Sequence, residues 1–83
     1  MNEDFAQIQN IIEAIVEDDS LSKNIRIKFD RIHMQIKNTT DSNKSLVINK
    51  ILSDLEEMSN DVNMPDYVRT QIWHLTSVLE TMA

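Results

Sequence analysis

The chain has no glycine, no cysteine, a single proline and only 5% aromatic residues among its 83 positions. Without glycine it lacks the residue that best fills positive φ, which phosphate-cradling loops and tight type I′ hairpins demand and other side chains supply poorly. Without cysteine no disulfide can form, a composition that fits a reducing compartment. No apolar run approaches the roughly 20 residues that cross a bilayer. The opening Met1-Asn2-Glu3-Asp4 is acidic where a secretory leader needs basic residues ahead of an apolar stretch. The expectation is a cytoplasmic protein without membrane association. Positive charge is also scarce, since 8 Lys and Arg stand against 14 Asp and Glu for a formal net charge of −6. Such a chain repels polyanions at long range, which disfavours nucleic acid as a partner.

What the chain does have is helical periodicity, over a length that suits one domain spanning residues 1–83. Phe5, Ile8, Ile11, Ile12, Ile15 and Val16 cover one broad helical face, after an Asn2-Glu3-Asp4 start that favours a helix N-terminus. Ile25, Phe29, Ile32 and Ile36 follow a 4-3-4 spacing on a second helix ending near Lys37, with Ser20 as its expected N-cap. Residues 38–45 carry no apolar side chain and read as a solvated connection, with Asp41 or Ser42 capping the next helix. Val47, Ile48, Ile51, Leu52, Leu55 and Met58 form the third stripe, which stops around Asn60-Asp61. The fourth helix starts at Asn63-Met64-Pro65, where proline in the first turn removes no intrahelical hydrogen bond. It continues through Val68, Ile72, Leu75, Leu79 and Met82. No segment alternates with period two for long enough to be a strand. The predicted fold is all-α, a four-helix bundle of two hairpins at about 3–37 and about 42–82.

Sliding the chain by about 43 positions sets Ser20–Arg26 over Asn63–Arg69. The same shift sets Phe29 on Ile72, Ile32 on Leu75, Ile36 on Leu79, Ile8 on Ile51 and Ile12 on Leu55. A helix-turn-helix unit of this period, with an Arg early in its second helix, resembles the solenoid class typified by HEAT repeats. Arg26 and Arg69 each follow an acidic turn residue, Asp18 or Asp61, by eight positions. The expectation is that Arg26, Arg69 and Pro65 are structural turn residues, each Arg tying its own turn through carboxylates or helix-end carbonyls. The acidic excess of the first segment and the basic residues Lys23, Arg26, Lys28, Arg31 and Lys37 of the second suggest complementary antiparallel helices.

The run Asn60-Asp61-Val62-Asn63-Met64-Pro65, followed by Arg69-Thr70-Gln71-Ile72-Trp73 and Leu79-Glu80, resembles the signature of a small archaeal group, uncharacterised protein family 0147. The likeness extends more loosely through Asn24-Ile25-Arg26 and departs at Ser22, where the family would carry proline, and along the third helix. The resemblance implies a short, acidic, helical protein of archaeal origin, and it implies no activity and no catalytic residue.

The chemistry-bearing residues form no motif. His33 and His74 lack the i, i+4 spacing of a helical metal pair, and the acidic clusters Glu17-Asp18-Asp19 and Asp54-Glu56-Glu57 lack EF-hand spacing. No serine or threonine sits in a nucleophile motif, and so small a core leaves little room for a substrate pocket. No catalytic, metal or cofactor-binding residue is expected, and no cofactor. The remaining signal is apolar surface outside the stripes. With Ile25 at zero on a helical wheel, Phe29, Ile32 and Ile36 fall within about 40°, whereas Ile27 and Met34 fall near 180°. Trp73 lies about 140° from Val68. These three side chains read either as ordinary scattered surface or as a partner surface for a second copy or another protein. Function by sequence alone is thus unknown, with a non-enzymatic interaction or structural module, homodimeric in one version, as the leading reading. The alternative is a nucleic-acid- or ribosome-associated factor using the basic residues of the second helix.

Overall fold

The computed structural model of the chain describes residues 2–82, with side chains from residue 5 onward. It contains helices α1 (Asn2–Val16), α2 (Lys23–Lys37), α3 (Lys44–Ser59) and α4 (Asp66–Met82), and no strand among the described residues. The all-α class follows the apolar periodicity. The chain divides into two compact units, one ending at Thr39 and the other beginning at Thr40. In the first, α1 packs on α2; in the second, α3 packs on α4.

In the first unit Ile8, Ile12 and Ile15 of α1 and Ile25, Phe29, Ile32 and Ile36 of α2 are buried, with Leu21 of the turn beside them. Each such side chain contributes about 1.5–3 kcal/mol on leaving water. Phe5, Ile11 and Val16 are half-buried, so they edge the broad stripe of α1. The capping role expected of Asn2, Glu3 and Asp4 falls on side chains outside the described residues. At the other end of α1, Asp18 N–H donates to Ile15 O and Leu21 N–H to Asp18 O. Asp18 Oδ1 accepts from both Ser20 N–H (2.9 Å) and Ser20 Oγ (2.6 Å). That engagement moves the cap. The N-cap of α2 is Ser22, not Ser20, with extended φ −63° and ψ 152° and Oγ accepting from Ile25 N–H at 3.3 Å.

The second unit is built alike, with Ile48, Ile51, Leu55 and Met58 of α3, Val68, Ile72, Leu75 and Leu79 of α4, and Met64 of the turn in its core. Val47 and Leu52 are only half-buried. Its turn repeats the hydrogen bonds of the first at equivalent positions: Asp61 N–H to Met58 O, Met64 N–H to Asp61 O, and Asn63 N–H to Asp61 Oδ1. Helix α4 begins at Asp66, later than Asn63, and Pro65 occupies the cap position, its carbonyl accepting from Val68 and Arg69 N–H. Proline serves there because a cap needs a carbonyl acceptor and no donor. The N-cap of α3 is Asn43, not Asp41 or Ser42. Its side chain closes the preceding loop, accepting from Thr40 N–H at 2.7 Å, instead of bonding into the helix.

Candidate interaction surfaces

Helix α2 turns Ile25, Phe29, Ile32 and Ile36 inward and so must present the opposite side to water. Ile27 and Met34 stand on that outer side, 40% and 49% exposed. Lys23, Asp30, Arg31 and Lys37, also exposed, share it. The result is a narrow apolar stripe flanked by three cations and one carboxylate, Asp30. The expected charge pairing of α1 with α2 is slight, because the two helices meet through apolar side chains. Among the described residues it consists of Arg26 Nη1 at 3.6 Å from Asp19 Oδ1 in the turn and His33 Nε2 at 3.9 Å from Glu13 Oε1, the latter an ion pair only when the imidazole is protonated. Lys23, Lys28, Arg31 and Lys37 have no ion-pair partner among the described residues.

The second unit carries a groove of about 560 Å³ between α3 and α4. Leu52, Leu55 and Ile72 give it an apolar floor, Trp73 forms part of one wall, and Ser53 and Thr76 are small enough to leave it open. Glu56 and Glu80 supply acidic groups. Trp73 is 77% exposed, so its ring lines the groove without being covered by it. This space lies on the outside of the helix pair and is open to solvent. Leu46, Val62 and Tyr67 are further exposed apolar side chains that the sequence stripes do not single out.

Arg69 closes the turn end of the groove. Its Nε donates to Ser59 O at 3.2 Å and its Nη2 to Asp61 O at 2.7 Å, while Nη1 pairs with Asp66 Oδ1 at 3.3 Å. The guanidinium fork thus satisfies two carbonyls where α3 ends, and its charge opposes the negative end of the helix dipole. Arg26, at the equivalent position of the first unit, does less. It reaches the turn through Asp19 alone, and its Nε is buried without a hydrogen-bond partner.

His33 lines a small cavity of about 140 Å³ with Glu13, Val16, Glu17 and Asp30, and its Nδ1 is buried without a partner. His74 is exposed on α4. Among the described residues no three His, Cys, Asp or Glu side chains are placed to hold a metal ion. No helix is long and apolar enough to cross a membrane among those residues.

Fold and surface together define a small acidic all-α protein of two helical hairpins, a class set by architecture. The chain belongs to the Uncharacterised protein family UPF0147, whose profile matches residues 1–82. Its relatives are archaeal. The UPF0147 protein of Methanosarcina mazei is 40% identical over 76 residues, covering 92% of this chain and 81% of that protein. The one from Methanothermobacter thermautotrophicus is 35% identical over 81 residues, covering 98% and 78%. A crystal structure of a UPF0147 protein from Thermoplasma acidophilum superposes with a TM-score of 0.88 at 26% identity, over 99% of this chain and 95% of that one. Another, of a protein described as of unknown function, gives 0.87 at 32% identity, over 99% and 92%. None of these descriptions states an activity, so a functional reading rests on the surfaces.

Proposed function

We propose that this chain is a non-enzymatic protein–protein interaction module of the cytoplasm, with Ile27, Met34 and Trp73 as its contacts and homodimeric assembly as one use. The observation that carries the reading is Trp73, a large aromatic 77% exposed beside an apolar-floored groove. Trp and Met are enriched at interfaces, and Trp is among the residues that most often carry binding energy there. Ile27 and Met34 add a second apolar patch on a different helix. The matched turn hydrogen bonds, buried residues and cap positions support a tandem hairpin repeat of the HEAT-like kind, a scaffold used for partner binding. The reading assigns no side chain a catalytic, metal or cofactor role.

A photo-crosslinking residue placed at 27, 34 or 73, with exposed Ser45 as control position, tests it in purified protein and in extract. Specific products at those positions and none at 45 support the module. Identical patterns at all four positions would remove it. A second reading, an RNA- or ribosome-associated factor, draws on Lys23, Lys28, Arg31 and Lys37 of α2, which have no ion-pair partner among the described residues. It requires RNA binding that weakens steeply with salt and disappears in Lys28→Glu/Arg31→Glu.

A further inference from the structure

We infer that the partner is a second copy of this chain, with the outer stripe of α2 on one copy seated in the α3–α4 groove of the other. This rests on the interaction reading above and names its partner and its mode. Ile27 and Met34 are seven residues apart, two helical turns, so they stand about 10 Å apart along one side of α2. A stripe of that kind fits the trough between two packed helices, the usual way an apolar helix face is received. The groove offers Leu52, Ile72 and Trp73 as its apolar surface.

Charge selects this pairing over the alternatives. Glu56 lies close to the end of α3 at Ser59, by the turn, whereas Glu80 lies close to the far end of α4, so the two carboxylates mark opposite ends of the groove. Trp73 and Glu80 are seven residues apart on α4, again about 10 Å. Arg31 and Lys37 on the α2 stripe are six apart, about 9 Å, so they supply two cations along the length of the groove. The groove's own cation, Arg69, is already engaged by Ser59 O, Asp61 O and Asp66. Stripe against stripe would oppose Lys23, Arg31 and Lys37 to themselves with Asp30 as the sole counter-charge on each side, and groove against groove would oppose Glu56 and Glu80 to themselves. Stripe against groove brings the larger share of opposite charges together around an apolar centre. Two different patches of one chain then meet, so the contact is heterologous, closing as a reciprocal dimer or growing head to tail.

Complementation between two damaged copies tests this. Light scattering over a wide concentration range is run on wild type, on Met34→Glu (stripe broken, groove intact), on Trp73→Glu (groove broken, stripe intact) and on their equimolar mixture. The expected result is association of wild type, at least a tenfold weaker association of each variant alone, and a two-chain species in the mixture. Glu56→Lys mixed with Arg31→Glu should behave the same way. Circular dichroism checks that each variant is folded, and exposed Glu80→Lys replaces Trp73→Glu should that variant fail. Wild-type-like association of the groove variant, or a mixture that stays monomeric, overturns the inference. So does wild type that is monomeric throughout, although specific crosslinks from positions 27, 34 and 73 to another protein would then leave the interaction module standing.

Discussion

Replacing Arg69 by Ala and Arg26 by Ala separately should give unequal losses of stability, although the two occupy matching sequence positions. Arg69 donates two charge-assisted hydrogen bonds to part-buried carbonyls, Ser59 O and Asp61 O. A hydrogen bond to a charged group contributes about 1.5–3 kcal/mol net. Water can partly replace the donor at a helix end, so the pair should contribute about 2–3 kcal/mol. The ion pair with Asp66 adds little, because that carboxylate is 98% exposed. Arg26 has only an ion pair at 3.6 Å with Asp19, which is equally exposed. Both arginine stems are partly buried, so lost packing is common to the two variants and cancels in their comparison. In a domain of this size the excess loss at Arg69 corresponds to a Tm lower by roughly 10–20 °C. Arg69→Lys should recover less than half of it, since one ammonium cannot serve both carbonyls in the geometry of the fork. Thermal and urea denaturation followed by circular dichroism give the numbers. Equal destabilisation by the two alanine variants would refute the reasoning, by showing that the carbonyl bonds contribute nothing beyond stem packing.

Other consequences are simpler to check. Phe29→Ala empties a fully buried position and should cost about 3–5 kcal/mol, read as a large fall in the urea midpoint. An unchanged midpoint would mean that Phe29 is not in the core. Ser22→Ala should cost about 0.5–1 kcal/mol through loss of the α2 cap, the low end because the cap bond is long at 3.3 Å. A larger cost for Ser20→Ala in the same assay would return the cap to Ser20. Trp73, the only tryptophan, is 77% exposed, so its fluorescence in dilute protein should peak near that of indole in water and be quenched readily by acrylamide. A blue-shifted, protected emission that persists at all dilutions would contradict that exposure.

Much of the fold is legible in the sequence because it depends on local periodicity. The stripes at Ile25-Phe29-Ile32-Ile36 and Val68-Ile72-Leu75-Leu79 are all buried, as a 3.6-residue repeat requires. The outward placement of Ile27 and Met34 follows from the same geometry. Helix starts are less legible, since several Ser, Asp and Asn side chains compete for each one and the folding of the turn decides among them. Ser20 is held by Asp18 and leaves the α2 cap to Ser22, whereas Asn43 keeps the α3 cap position with its side chain turned back to Thr40. A matched sequence position does not guarantee a matched role. Arg69 forks onto two carbonyls and Arg26 reaches a carboxylate, a difference made by where the turns place their acceptors.

The groove is a product of tertiary packing alone. Leu52 and Glu56 come from one helix and Ile72, Trp73 and Glu80 from another, and nothing in either stripe says that they face a common space. Sequence by itself determined the helices, their buried faces and the family, because each is written in residue spacing or residue identity. The packing of α3 on α4 decided that Trp73 should line an open trough together with Glu56 and Glu80, because a surface between two helices exists only once both are in place.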